Sequence, residues 1–306
     1  MRVSVVVCTY AESMYDHFRE CVESLLAQTH DDCEIVVVVD GTESVFVRAS
    51  ADFGDHGNVR LYRNERNRGV SASRTRGAEL ADGEIVAFID DDAVADPEWL
   101  AELVSVYERR DALAVGGRMA GRWLADRPWY LPEEFDWLVG VTYPGFADAG
   151  AEVRNTFESN LSVRRDVFLG LGGYDPAFGP DAEGYDHAEG AAFGARLRAE
   201  YGRGMVYAPD AVVEHKVFEA RLRPTHLFRR AFQQGVSKRR LARQAPETGE
   251  ESAYLRRLFL DGIPRRVAAA LRSGSLEPLG EAAMLFAFTA AVGLGYAAAG
   301  FASSGR

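Results

Sequence analysis

The chain opens on two continuous β-branched runs, Val3–Cys8 (VSVVVC) and Ile35–Val39 (IVVVV), the pattern of strands covered on both faces. Between them, Tyr15–Gln28 places Phe18, Cys21, Val22, Leu25 and Leu26 at helical spacing. Strand, helix, strand predicts a parallel pair joined by a crossover. A shorter strand at Val59–Tyr62, a helix over Ser71–Leu80 and an apolar strand at Ile85–Ile89 continue the alternation, so the first 90 residues predict an open α/β sheet. A helix over Pro97–Arg109 follows, with Asp96 as its N-cap and Pro97 at its first position. Then come a strand over Val115–Met119 and a stretch from Trp123 to Gly150, rich in Pro, Gly and aromatic residues, that predicts a long functional loop. The pattern ends with Ser159–Val163, a helical turn at Asp166–Leu169, the turn Gly172–Pro176, a helix over Glu189–Tyr201 and a strand at Gly204–Tyr207.

After residue 215 the pattern changes. Arg221–Arg243 mixes Leu222, Leu227, Phe228, Phe232, Val236 and Leu241 with Arg229, Arg230, Lys238, Arg239 and Arg240, as an interfacial helix mixes apolar anchors with cations. A second basic amphipathic stretch covers Tyr254–Leu271. Either stretch also suits a solvated helix face docked on a globular domain. From Ala282 to Ala302 no residue is charged; the span of about 21 residues approaches what a helix needs to cross a bilayer. A buried terminal helix has the same composition, but the Arg-rich stretch before it favours the membrane, with the positive flank cytoplasmic. The expected division is therefore a catalytic domain over 1–215, basic membrane-associated helices over 216–275 and a transmembrane helix with a short tail over 276–306.

Charge sharpens that division. The formal net charge is −11, but residues 1–214 carry about 20 Lys and Arg against about 39 Asp and Glu, and residues 215–272 about 14 against about 5. The acidic part gains nothing from phosphate backbones, so no nucleic-acid partner is expected, whereas the basic part suits anionic lipid head groups. Cys8, Cys21 and Cys33 lack a metal-ligand spacing and read as buried free thiols in a reducing compartment. Met1-Arg2-Val3 runs straight into a strand, so no signal peptide is expected.

Ligands of open α/β sheets sit beyond the carboxyl ends of the strands. That rule alone selects Thr9, Asp40 and Asp90-Asp91-Asp92. Three consecutive carboxylates repel one another and must be exposed or held near a cation. A Mg²⁺ or Mn²⁺ ion relieves the repulsion by taking one or two carboxylates and leaving positions for diphosphate oxygens and water. An acidic loop or helix cap without a metal would give the same string.

Four segments, VSVVVCTY at Val3–Tyr10, VVVVDGT at Val36–Thr42, NERNRGVSASRTRGAELADGEIVAFIDDD at Asn64–Asp92 and NLSVRRDVFLGLGGYD at Asn160–Asp175, resemble in order and spacing the family 2 glycosyltransferases. The resemblance covers about the first 215 residues. It implies a GT-A fold, the Rossmann-like α/β architecture of nucleotide-diphospho-sugar transferases, here with a C-terminal amphipathic and transmembrane helical appendage. By position it implies that Thr9 and Asp40 contact base and ribose, that Arg74 supports the donor, and that Asp90, Asp91 and Asp92 form the acidic motif, with Asp92 and Asp90 as metal ligands. His215 is similar to a histidine placed near metal and diphosphate, and Lys216 and Arg221 lie near enough in sequence to neutralise a leaving diphosphate.

Inverting transfer needs a base to deprotonate the acceptor hydroxyl. The family pattern places a Glu-Asp pair about six residues before an arginine; alignment on Arg196 puts Glu189 at the Glu and Gly190 where the Asp is expected. Glu189 is the first choice for the base, Asp186 the second and Glu183 the third; His187 is also near. More narrowly, the chain resembles haloarchaeal glucosyl-dolichyl phosphate glucuronosyltransferases of S-layer protein N-glycosylation, through AFIDDDAVADPEWLAELVSVYE, RNTFESNLSVRRDVF and FTAAVGLGY. That resemblance implies a UDP-sugar donor (UDP-glucuronate), a dolichyl-phosphate-linked saccharide acceptor, and a cell-membrane enzyme whose catalytic domain faces the cytoplasm among membrane lipids. A hexosyltransferase acting on dolichyl phosphate and a non-catalytic scaffold with the same fold are the alternatives.

Overall fold

A computed structural model describes residues 1–176, 189–242 and 250–304 of the chain. In chain order its elements are β1 (Val3–Thr9), α1 (Tyr15–Leu26), β2 (Cys33–Asp40), α2 (Glu43–Phe53), β3 (Val59–Asn64), α3 (Val70–Leu80), β4 (Ile85–Asp90), β5 (Ala93–Ala95), α4 (Trp99–Arg109) and β6 (Ala114–Trp123). They continue with β7 (Glu152–Val153), β8 (Leu161–Arg164), α5 (Arg165–Gly170), α6 (Glu189–Tyr201), β9 (Met205–Val217), α7 (Glu219–Leu222), α8 (Pro224–Leu241), α9 (Glu250–Arg257), α10 (Ile263–Ser273) and α11 (Glu277–Ser304). Contacts divide the chain into two units, Met1–Ala120 with Ala147–Lys216, and Gly121–Phe146 with Val217–Arg306. The second unit thus takes in part of the stretch that reads as a loop, because a 3₁₀ helix at Glu133–Val139 buries Phe135, Leu138 and Val139 in that unit's own core.

The first unit is built on one sheet with strand order β3-β2-β1-β4-β8-β6-β9-β5, β7 pairing with β9. β1, β2, β3 and β4 are parallel, as strand-helix-strand alternation requires. β8 then runs antiparallel to β4 and β6, and β5 antiparallel to β9, so the sheet is mixed. Every residue of the β-branched runs Val5–Val7 and Ile35–Val39 is buried. Val3, Val5, Val7, Ile35, Val37 and Val39 meet Tyr15, Phe18, Ala49, Trp99 and Leu103 from α1, α2 and α4 on one side. On the other side α3 lies so close to β1 that a Cβ on Gly77 would collide with the Val6 side chain, and Phe88 packs on Phe168 and Tyr174 with ring centroids 5.0 and 5.3 Å apart.

Two expectations shift at their edges, and one helix, α2, was not expected. The helix expected from Pro97 starts at Trp99, because the Asp96 carboxylate accepts the Glu98 amide at 3.0 Å in a turn that precedes it. The strand expected at Gly204–Tyr207 runs on to Val217, its buried Ala211 and Val213 alternating with exposed Asp210 and Glu214. Helix α2 carries Val45, Ala49 and Phe53 on its buried face.

The second unit is helical. α8 and α11 pack directly: Gly235 faces the backbone of Val292 and Tyr296, and Gly295 faces the backbone of Phe232, with no room for a Cβ at either glycine. Phe288 of α11 stacks near Phe135 and Phe228, with centroids 5.2 and 4.8 Å away. Between α9 and α10 the helix widens into a π-helical turn, Leu258–Gly262, just before Pro264, which has no amide to give to the carbonyl ladder. α11 is long and apolar enough to cross a membrane, and 22% of its most apolar window is buried.

Candidate active site

Parallel register brings the strand ends into one row. Thr9 pairs with Val39, Cys8 with Asp90 and Asp40 with Asn64, so Thr9, Asp40, Asn64 and Asp90 reach the carboxyl edge together. Thr9 is 1% exposed and its hydroxyl has no hydrogen-bond partner among the described residues; such a group at a strand end is poised for a ligand. The Asp40 carboxylate accepts Asn64 Nδ2 at 2.7 Å and the Arg68 and Gly69 amides at 2.9 Å each. The turn that offers those amides passes within 2.5 Å of a Cβ built on Gly41, which is why only glycine fits there at φ +92°.

Gly69, at φ +84°, releases the chain into α3, which carries Ser71 and Arg74 inward. Arg74 is buried and forms ion pairs with Asp90 through Nη2 and with Glu189 through Nη1, while Ser71 donates to the other Glu189 oxygen. Those two carboxylates hold the guanidinium pKa above its ordinary value against the cost of burial. Burial also raises the Glu189 carboxyl, with Arg74 and Ser71 drawing it back down. The Asp90 amide is tied to Ser159 Oγ at 3.0 Å, linking the acidic strand end to the turn that precedes β8.

The pairing of β5 with β9 sets Ala93 opposite His215, and the Lys216 amide donates to the Asp92 carbonyl at 3.1 Å. His215 Nε2 consequently lies 3.5 Å from Asp92 Oδ1. One ligand atom each from Asp90, Asp92 and His215 falls within 4.8 Å of the others. Two carboxylate oxygens and an imidazole nitrogen at that separation suit a hard or borderline divalent ion such as Mg²⁺ or Mn²⁺. Asp91, between those two carboxylates, is outside this trio. Lys216, expected near a leaving diphosphate, is 1% exposed and pairs with Glu20 Oε2 at 2.5 Å. Glu183, Asp186 and His187 lie outside the described residues.

Sequence reasoning passed over Glu158. It belongs to a 3₁₀ turn, Glu158–Asn160, and its Oε1 accepts the Gly190 amide at 2.8 Å. Burial and the charge of Glu189 push its carboxyl up, against the pull of Arg74. No periodicity marks this residue; contact with α6 arises only when the sheet forms. All three cysteines are free, as expected, and burial pushes each thiol up; Cys21 is buried while Cys8 and Cys33 are partly so.

The model of the family described as glycosyl transferase family 2 matches residues 4–170, which span every strand-end residue above from Thr9 to Asp92. The chain belongs to glycosyl transferase family 2. A family relative, the glucosyl-dolichyl phosphate glucuronosyltransferase of Haloferax volcanii, is 46% identical over 298 residues, 97% of this chain and 95% of that one. Among solved structures, the mannosyltransferase PcManGT from Pyrobaculum calidifontis, in complex with GDP-Man and Mn²⁺, superposes with TM-score 0.62 at 20% identity, covering 96% of this chain and 86% of its own. S. aureus TarS 1–349 with UDP-GlcNAc superposes with TM-score 0.58 at 18% identity, covering 95% and 82%. The fold of this family 2 glycosyltransferase is accordingly the mixed α/β GT-A fold, with an apolar helix at its C-terminal end.

Proposed function

We propose that the protein is an inverting, metal-dependent glycosyltransferase that moves glucuronate from UDP-glucuronate onto a dolichyl-phosphate-linked saccharide in protein N-glycosylation. The observation that carries the chemistry is the trio Asp90, Asp92 and His215 beside Arg74 at the carboxyl ends of the parallel strands. The end-to-end likeness to the Haloferax enzyme supports the choice of donor and acceptor.

In this reading Thr9 and Asp40 bind the nucleoside of the UDP-sugar. Asp90, Asp92 and His215 hold Mg²⁺ or Mn²⁺. When bound, the ion supplies positive charge against the diphosphate of the donor. Arg74 orients the carboxylates around it, Asp91 borders the donor, and a carboxylate base takes the proton of the acceptor hydroxyl; the expectations from sequence for that base are Glu189 and then Asp186.

Attachment to membrane lipids rests on the second unit. Leu260, Leu271, Leu276, Leu294 and Phe301 are each more than half exposed, and exposed apolar side chains at this density on a basic helical unit favour a lipid surface. We place the enzyme at the cell membrane with its catalytic unit in the cytoplasm. Such a location confines the search for a lipid-linked acceptor to the membrane plane.

The test offers purified full-length protein, with Mn²⁺ and glucosyl dolichyl phosphate, each of UDP-glucuronate, UDP-glucose and GDP-mannose in turn. Mass spectrometry of the lipid product should show one glucuronyl residue added from UDP-glucuronate. Addition of a neutral hexose instead would replace the proposed donor, and no transfer from any of the three would leave the scaffold reading standing.

A further inference from the structure

The carboxylate that position 190 lacks is present in space, delivered from another part of the chain. A Cβ built on Gly190 would lie 2.7 Å from Glu158 Cδ and 2.9 Å from Glu158 Cγ, and closer still to Oε1. The Glu158 side chain therefore fills the volume into which a residue at 190 would project, and the Gly190 amide holds it there at 2.8 Å. Position 190 is where the family pattern expects an aspartate. Glu189 does not supply that role freely: it is 3% exposed, with one oxygen on Arg74 and the other on Ser71. Glu158 is only partly buried and is bonded by an amide rather than a guanidinium.

We propose that Glu158 is the catalytic base, and that Glu189 is a positioning residue that fixes Arg74 against Asp90. This assignment rests on the transferase reading above. In the step, an oxygen lone pair of the acceptor hydroxyl forms a bond to the anomeric carbon of the donor sugar. The bond from that carbon to the diphosphate oxygen breaks, its electron pair staying on the departing UDP, and the hydroxyl proton passes to a Glu158 carboxylate oxygen. Release of that proton to water returns Glu158 to its starting state, so the products are the glycosylated acceptor, UDP and one proton. Burial and the nearby Glu189 charge raise the proton affinity of Glu158, which makes it a better base than a solvated carboxylate.

The deciding set is Glu158→Gln, Glu158→Ala, Gly190→Asp, the double variant Glu158→Ala with Gly190→Asp, and Glu189→Gln, each as the full chain with UDP-glucuronate and glucosyl dolichyl phosphate. Glu158→Gln keeps an oxygen for the Gly190 amide and should lower kcat by about 10²- to 10⁴-fold, the usual range for a general base, with donor KM and melting temperature close to wild type. The double variant should recover at least about tenfold over Glu158→Ala, because removing the long side chain opens the room that an aspartate at 190 needs. Gly190→Asp alone should lose activity by crowding Glu158. Glu189→Gln should act chiefly on donor KM, through Arg74. A Glu158→Gln enzyme within tenfold of wild-type kcat, or a double variant no better than Glu158→Ala, would overturn the assignment. If the wild type uses another donor, the same set is read with that donor and only the donor choice falls; a wild type inactive with every donor would overturn both readings.

Discussion

Two buried arginines, Arg74 in the first unit and Arg266 in the second, each lie between two carboxylates, yet their surroundings differ in charge. Arg266 donates through Nη1 and Nη2 to the two oxygens of Glu134, at 2.7 and 2.8 Å, and through Nε to Glu281 at 2.9 Å. Arg265 adds a second cation, 3.2 Å from Glu134. That cluster is close to neutral and joins the 3₁₀ helix at Glu133–Val139 to α10 and α11. Arg74 by contrast faces Asp90 and Glu189, with Glu158 beside them and Asp92 in the trio with Asp90. Its cluster keeps an excess of negative charge. A balanced buried cluster acts as a clamp, whereas an unbalanced one marks a place that a cationic ligand would complete.

The sharpest break in this comparison should come from Asp92→Asn. Loss of one carboxylate of the proposed metal trio should lower kcat by about 10³-fold, about 4 kcal/mol in the barrier. Thermal unfolding without metal should show no loss of stability, since one repelling charge is gone. Enzyme assay and calorimetry on the same preparation read both, and a fall in melting temperature of the metal-free variant would argue that Asp92 is structural.

Arg266→Met should do the reverse. It strands Glu134, only 4% exposed, and removal of one partner from a buried pair costs about 3–5 kcal/mol. Denaturant unfolding should show that loss while the folded fraction still binds the proposed nucleotide-sugar donor with wild-type affinity. A loss under about 1 kcal/mol would mean that Arg265 replaces it.

The smallest effect is a contrast in pH. Glu34 in the first unit, held by Ser4, the Asp82 amide and Arg60, has its carboxyl pKa lowered against the opposing effect of burial. Its stabilisation is present above the ordinary glutamate range and is lost as pH falls through the lowered value. Asp136 in the second unit is pushed up to about 6 by burial, although Arg127 pulls the other way. The folded state there keeps a proton that the unfolded state releases, so its contribution is present at low pH and lost as pH rises from about 4 through about 6. Melting curves of Glu34→Gln below the ordinary glutamate range and of Asp136→Asn between about pH 4 and about pH 6 should therefore differ from wild type with opposite slopes.

Much of the first unit was legible because β1, β2 and β4 are buried on both faces and read as unbroken apolar runs. With the strands in place, the rule that ligands sit at their carboxyl ends was enough to pick out Thr9, Asp40 and Asp90. Helix α2 could have been read from the spacing of Val45, Ala49 and Phe53, and the length of β9 from its alternation of buried and exposed residues. The approach of His215 to Asp92 is harder to read, since it depends on the antiparallel pairing of β5, three residues long, with β9. Glu158 was beyond reach: it lies 32 positions from Gly190, and no local pattern records their contact. The paired packing of α8 and α11 through Gly235 and Gly295 was likewise hidden, because a glycine in a helix does not announce the backbone that crosses it.

Gly190 and Glu158 compete for one small volume, so what one position can carry depends on the other. A chain with acidic residues at both positions would be crowded, and one with neither would lack the carboxylate at this place. Passage between the two arrangements is easiest through linked replacements, so relatives carrying aspartate at the position of Gly190 are expected to carry a short side chain at that of Glu158. The pair would then descend together as a lineage marker, separating branches of the family whose overall fold no longer tells them apart.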